Sequence, residues 1–72
     1  METFCLRGDY IELVKLLKAT GWCNTGGMAK AAVDDGLVLV DGVVELRKGC
    51  KLREGQRVMF NQRSIEIITE HV

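Results

Sequence analysis

The sequence predicts an α+β fold in which two short helices pack on a small, mostly antiparallel sheet. Three observations carry that prediction. Apolar residues recur at helical spacing in "YIELVKLLKA" and again, with smaller side chains, in "GGMAKAAVDD". Strand-type alternation then takes over in "LVLVDGVVEL", where Asp41-Gly42 is a pair favoured by two-residue type I′ turns. Two further runs, "RVMF" and "SIEIIT", read as a final strand pair.

At the start, "TFCL" reads as a short strand with Phe4 and Leu6 facing one way, and "RGD" turns the chain. Asp9 has the chemistry of an N-cap, and Glu12 three residues later completes the capping-box spacing. The first helix is expected over residues 10–19. Leu13, Val14, Leu16 and Leu17 form its apolar arc, with Glu12, Lys15 and Lys18 on the opposite face. Gly21 ends it, since glycine takes the left-handed conformation readily. Trp22 is expected as a half-buried anchor between the helices.

Thr25 is the expected N-cap of a second helix over residues 26–35, whose narrow buried stripe is Ala29, Ala32 and Val33. Lys30 flanks that stripe, and Gly36 terminates the helix. Strands are expected at 37–40 and 43–46, with Leu37 and Leu39 on one face and Val38 and Val40 on the other. "RKGCKLREGQ" lacks apolar rhythm and reads as a basic loop. Val58, Phe60, Ile65 and Ile67 face the core from the last strand pair. The order is β-α-α-β-β-loop-β-β in one domain, residues 1–72.

Composition bounds what such a domain does. A chain of 72 residues that is 47% hydrophobic is a small folded globule and buries only about 60% of its unfolded surface. No apolar run approaches the roughly 18 residues of a membrane span, and "METFCLRGD" lacks the basic start of a secretory signal. A cytoplasmic protein with no membrane association is expected. Cys5, Cys23 and Cys50 are too widely spaced for a zinc knuckle, and the single histidine, His71, stands almost at the C-terminus. No metal, cofactor or catalytic residue is expected, because an isolated cysteine without a neighbouring base is not an activated nucleophile.

Ten basic residues balance ten acidic ones, but their distribution is uneven. Arg47, Lys48, Lys51, Arg53, Arg57 and Arg63 fall in one segment that holds a single acid, Glu54. Acids collect at Asp34, Asp35, Asp41 and Glu45, then at Glu66 and Glu70. A neutral chain can thus present a one-signed patch to an anionic partner; a solvated charged face is the alternative.

"NTGGMAK" raises a related question. Gly26 and Gly27 occupy the first turn after Thr25, where helix amides lack intrahelical acceptors and the dipole favours an anion. Glycines there either admit a phosphate to the backbone or fit a cramped helix crossing beside Trp22. The spacing is not that of a P-loop.

The run "GWCNTGGMAKAAVDDGLVLVDG", two helices and a hairpin in succession, resembles the alpha-L RNA-binding domain. That domain is named for small-subunit ribosomal protein S-four and occurs in pseudouridine synthases and tyrosyl-tRNA synthetases. The resemblance runs from about Tyr10 to Phe60 and is closest to small stand-alone bacterial members. It matches the family's helix-junction glycine to Gly21 and its N-cap to Thr25. Ala29 matches the close-contact alanine, Gly42 the hairpin glycine and Gly55 the late glycine.

The resemblance implies RNA docking across the two helices and the start of the hairpin. Arginines that the family carries near the first helix start and after the N-cap are Glu12 and Gly26 here. The electrostatic burden therefore falls on Lys15, Lys18 and Lys30 and on Arg47, Lys48 and Lys51, with Thr25, Gly26 and Gly27 as the anion pocket. The expectation is a monomeric, non-catalytic protein that recognises structured RNA, ribosomal or transfer RNA included, through backbone phosphates. A ribosome or RNA-processing protein is a candidate partner. The alternative is a protein-interaction adaptor, ribosome-associated, using the Tyr10–Ile11 edge.

Overall fold

In a computed structural model describing residues 2–69, two helices pack on a mostly antiparallel sheet as expected, with seven strands where the sequence showed five. Glu70 and His71 lie outside the described residues. The strands are β1 (Glu2–Leu6), β2 (Ile11–Glu12), β3 (Val38–Val40), β4 (Val43–Val44), β5 (Lys51–Leu52), β6 (Arg57–Phe60) and β7 (Arg63–Thr69). Helices α1 (Leu13–Ala19) and α2 (Gly26–Asp34) fall between β2 and β3.

Five strands make the main sheet in the order β1-β7-β6-β3-β4, antiparallel throughout except for the parallel β1–β7 pair. The β3–β4 hairpin turns on Asp41 and Gly42 at φ 53° and 84°, the double left-handed geometry of a type I′ turn. A second left-handed pair, Asn61 and Gln62 at φ 52° and 64°, joins β6 to β7. Alternation sends Val38, Val40, Val58, Ile65 and Ile67 into the core, where Leu13, Leu16 and Leu17 of α1 and Ala29, Ala32 and Val33 of α2 join them. Phe60 is only partly buried. Each fully buried leucine, isoleucine or valine contributes about 1.5–3 kcal/mol relative to exposure.

Thr25 caps α2 as expected: its Oγ1 accepts from the Met28 N–H at 3.1 Å. At the other end Gly36 N–H donates to the Val33 carbonyl and Leu37 N–H to the Ala32 carbonyl, each at 3.1 Å. This is a Schellman closure, with Gly36 at φ 72°.

Two expectations fail. α1 starts at Leu13, and no capping box forms. Glu12 is itself the N-cap residue, extended at φ −72° and ψ 144°, and its side chain makes no cap hydrogen bond. The orphan donors of the first turn are met from elsewhere in the chain: Leu13 N–H donates to the Cys50 carbonyl at 2.9 Å and Val14 N–H to the Lys48 carbonyl at 3.3 Å. The segment expected as a plain loop therefore carries structure. Lys51–Leu52 pairs antiparallel with Ile11–Glu12, and Leu52 is fully buried. Residues 47–52 clamp the start of the first helix.

Trp22 is half-buried, but it anchors to the sheet. Its ring lies 6.3 Å from that of Phe60, and the Arg63 guanidinium sits over it at 5.3 Å. Arg63 in turn chelates Glu2 at 2.9 and 3.0 Å.

Candidate nucleic-acid interface

The two helices pack against each other, and contacts at both ends of α2 tie it to α1 and the segment clamping it. At one end the Lys18 stem lies on the first residue of α2, where a Cβ on Gly26 would meet Lys18 Cδ at 3.9 Å. At the other, Lys48 Nζ pairs with Asp34 Oδ2 at 3.0 Å, while the Lys48 carbonyl holds the Val14 N–H. Gly26, Lys30 and Asp34 recur one turn apart and so share a face of α2. Lys15 and Lys18, three residues apart, share the exposed face of α1. Lys18 thus stands at the head of α2, beside Thr25, Gly26 and Gly27, and Lys48 at its far end, while Lys15 reaches Glu12 and Lys30 lies on the flank of α2 between them.

Their charges are not equally available. Lys15 pairs with Glu12 at 3.3 Å, and Lys48 with Asp34. Both pairs are solvent-exposed and worth about 0–1 kcal/mol, so an incoming phosphate displaces them cheaply. Among the described residues Lys18 and Lys30 have no ion-pair partner. They are the unpaired lysines of the two helices.

Arg47 turns back on Glu45, two residues earlier in the chain. Its Nε donates to Glu45 Oε2 at 2.9 Å, its Nη2 to Oε1 at 3.1 Å, and its backbone N–H to Oε2 at 3.0 Å. These bonds hold the Glu45 carboxyl at a pKa of about 2, well below the usual carboxylate range. Arg47 is therefore the least available cation of the set. Burial pushes the Cys50 thiol up, with the Glu45 carboxylate adding to it, and burial alone raises Cys23. Neither is poised as a thiolate. Among the described residues no three His, Cys, Asp or Glu side chains converge on a metal position.

At the head of α2, Gly26 and Gly27 are not demanded by packing. A Cβ on Gly27 would meet only Thr25 Oγ1, at 3.8 Å, and neither glycine has a positive φ. Both contacts are ordinary van der Waals separations. The cramped-crossing explanation falls, and what remains particular to glycine is bare backbone N–H beside Lys18.

Two residues outside the expected set, Tyr10 and Arg53, cluster with the expected Lys51. Lys51 Nζ lies 4.9 Å and the Arg53 guanidinium carbon 5.7 Å from the centroid of the Tyr10 ring, itself exposed. Tyr10 was expected as an apolar edge; it is an aromatic wrapped by two cations. Pairing of β2 with β5 places it there, because Ile11 opposite Leu52 brings Tyr10 beside Arg53. Continuous exposed apolar surface lies elsewhere. Leu39 pairs with Val44 on one side and Met59 on the other, and this outward row is extended by exposed Leu37 and Leu46.

Comparison with known proteins agrees with this geometry. The S4 domain family model matches residues 4–68. The chain is 45% identical over 69 residues to YbcJ of Escherichia coli strain K12, whose name carries a provisional RNA-binding assignment, covering 94% of this chain and 99% of that protein. YbcJ of Shigella flexneri, named without a function, matches to the same extent. The solution structure of Escherichia coli YbcJ superposes with a TM-score of 0.74 at 44% identity, covering 96% of this chain and 89% of that one. Its description reports an αL motif involved in RNA-binding. Helix pair, hairpin, capped glycine turn and sequence all agree: the chain belongs to the S4 domain family.

Proposed function

We propose that residues 1–72 act as one non-catalytic RNA-binding domain that grips structured RNA by its backbone phosphates across the α1–α2 groove. The observation that carries this reading is the head of α2. Bare amides at Gly26 and Gly27, the Thr25 hydroxyl and the stem of the unpaired Lys18 meet there, with Lys30 one turn further along. An anion at that point gains the helix dipole and two cations at once. The RNA-binding descriptions attached to Escherichia coli YbcJ and its structure support the same reading.

Phosphate contacts fix position without reading sequence. Helices of seven and nine residues, about 10 and 14 Å long, suit the edge of a folded RNA better than the interior of its deep major groove. Ribosomal and transfer RNA are the structured classes in view, in the cytoplasm, with the protein acting as a monomer. No helix among the described residues is long and apolar enough to cross a membrane.

The test is the salt dependence of RNA affinity for the Lys18→Gln/Lys30→Gln variant. Each lost phosphate contact lowers the slope of log K against log salt by about 0.7–0.9, so the double variant loses about 1.4–1.8 while its melting temperature stays put. An unchanged slope overturns the groove reading. The second reading, an adaptor for a ribosomal or RNA-processing protein, draws on the outward row Val44–Leu39–Met59. It gains if charged substitutions at Val44 and Met59 leave RNA affinity intact and abolish function in cells.

A further inference from the structure

We propose that the depression between Tyr10 and the edge strand β1 takes an unpaired nucleobase of the bound RNA, stacked on the Tyr10 ring. The proposal rests on the RNA-binding reading above and adds a second, chemically different contact. The depression is lined by Phe4, Cys5, Leu6, Arg7, Tyr10 and Ile11. β1 pairs only with β7, so alternate N–H and C=O groups along its other side have no ladder partner. Phe4, Leu6 and Ile11 supply apolar wall. Arg7, Lys51 and Arg53 supply a cationic rim, with Arg53 tied to the Asp9 carbonyl at 3.3 Å.

A planar aromatic face, apolar walls, an open backbone edge and cations at the mouth match one ligand class. A nucleobase has a π-face, an edge carrying donors and acceptors, and an attached anionic phosphate. Contacts between exposed cations and a tyrosine ring are weak, so Lys51 and Arg53 can exchange the ring for that phosphate. Lys48, paired to Asp34 at the end of α2, and Lys51, beside the Tyr10 ring, lie on the same short clamp over the start of α1. An RNA strand leaving Lys48 would meet Lys51 and Tyr10 next along that clamp.

Two probes separate the contacts, a fully paired RNA duplex and a hairpin of the same stem closed by about six unpaired uridines, a loop whose bases are free to splay out. Tyr10→Leu keeps the apolar bulk without the aromatic face, Tyr10→Ala removes both, and Tyr10→Trp enlarges the stacking surface. Affinities are compared at equal folded fraction. Tyr10→Leu and Tyr10→Ala should weaken hairpin binding roughly tenfold and leave duplex binding within about twofold, while Tyr10→Trp should bind the hairpin at least as tightly as the wild type. A Tyr10→Leu variant that binds the hairpin like wild type overturns the stacking site, as does an equal loss on both probes. If Lys18→Gln/Lys30→Gln weakens both probes while the Tyr10 variants alter neither, phosphate binding stands and the base site falls; a protein partner at Tyr10 would give that pattern. A wild-type protein that binds neither probe overturns both.

Discussion

Gly27 is the position where stability and binding should move in opposite directions. It is the second residue of α2, its Cβ space is open apart from Thr25 Oγ1 at 3.8 Å, and its φ is not left-handed. Gly27→Ala therefore meets no obstruction and gains up to about 1 kcal/mol of helix propensity, less in a first turn than in an interior. Gly27→Asp forgoes most of that propensity gain but gains about 0.3–1 kcal/mol by placing a negative charge at the positive end of the helix dipole. For a domain of this size each kcal/mol raises the melting temperature by about 4–8 °C.

The same carboxylate stands where a bound phosphate must sit. Two like charges about 5 Å apart repel by roughly 1–3 kcal/mol between water-like and surface-like dielectrics, a five- to 150-fold loss of affinity. Gly27→Asp should melt higher than wild type and bind a structured RNA hairpin more weakly, with Gly27→Ala close to wild type in affinity. Thermal melts by circular dichroism and titrations at fixed pH and ionic strength measure both. An aspartate variant that melts higher and binds RNA unchanged refutes the anion pocket. A Gly27→Ala variant that melts several degrees lower refutes the packing argument beneath it.

Other perturbations probe the scaffold that sets the groove. Leu52→Ala should cost about 2–5 kcal/mol, a large share of the roughly 4–11 kcal/mol available to a chain of this length; a near-wild-type denaturant midpoint would show that the clamp over α1 is not structural. Gln62→Gly should raise the melting temperature by a few degrees, since Gln62 sits at φ 64° and a non-glycine residue there is strained by about 1–2 kcal/mol; no gain or a loss would count against that strain. Glu45→Gln should cost up to about 1 kcal/mol at neutral pH. Glu45 has a depressed folded-state pKa of about 2 against an ordinary 4.5, so its contribution is present above pH 4.5. The gap between variant and wild type should close as pH falls from about 4.5 to about 2, and a gap that persists at pH 2 contradicts the Arg47 chelate as its source.

The fold was legible wherever information is local. Helical spacing in Leu13–Leu17 and Ala29–Val33, the Thr25 cap and the Asp41-Gly42 turn are each settled within a few residues, and the structure reproduces them. What the sequence hid is contact between distant segments. Asp9 and Glu12 have the spacing of a capping box, yet the carbonyls of Lys48 and Cys50 reach the first amides of α1 and leave nothing for a local cap to satisfy. A two-residue strand at Lys51–Leu52 is too short to show a period, so its segment read as loop. Missing that pairing also hid the Tyr10 cluster, whose cations come from β5 and the residue after it. The basic residues were readable as candidates. That Arg47 is consumed by Glu45 while Lys18 and Lys30 stay free depends on geometry no spacing rule contains.

The most direct measurement is a backbone amide NMR titration of the isotope-labelled protein with a structured RNA hairpin. The account predicts that the largest shifts fall on Lys18, Gly26, Gly27 and Lys30, with smaller ones at Lys48 and Lys51, and that they fade as salt is raised. The outward row of Leu39, Val44 and Met59 should stay unmoved. Shifts confined to that sheet face, with the amides at the head of α2 silent, would contradict the claim that this domain holds RNA in the groove between its helices.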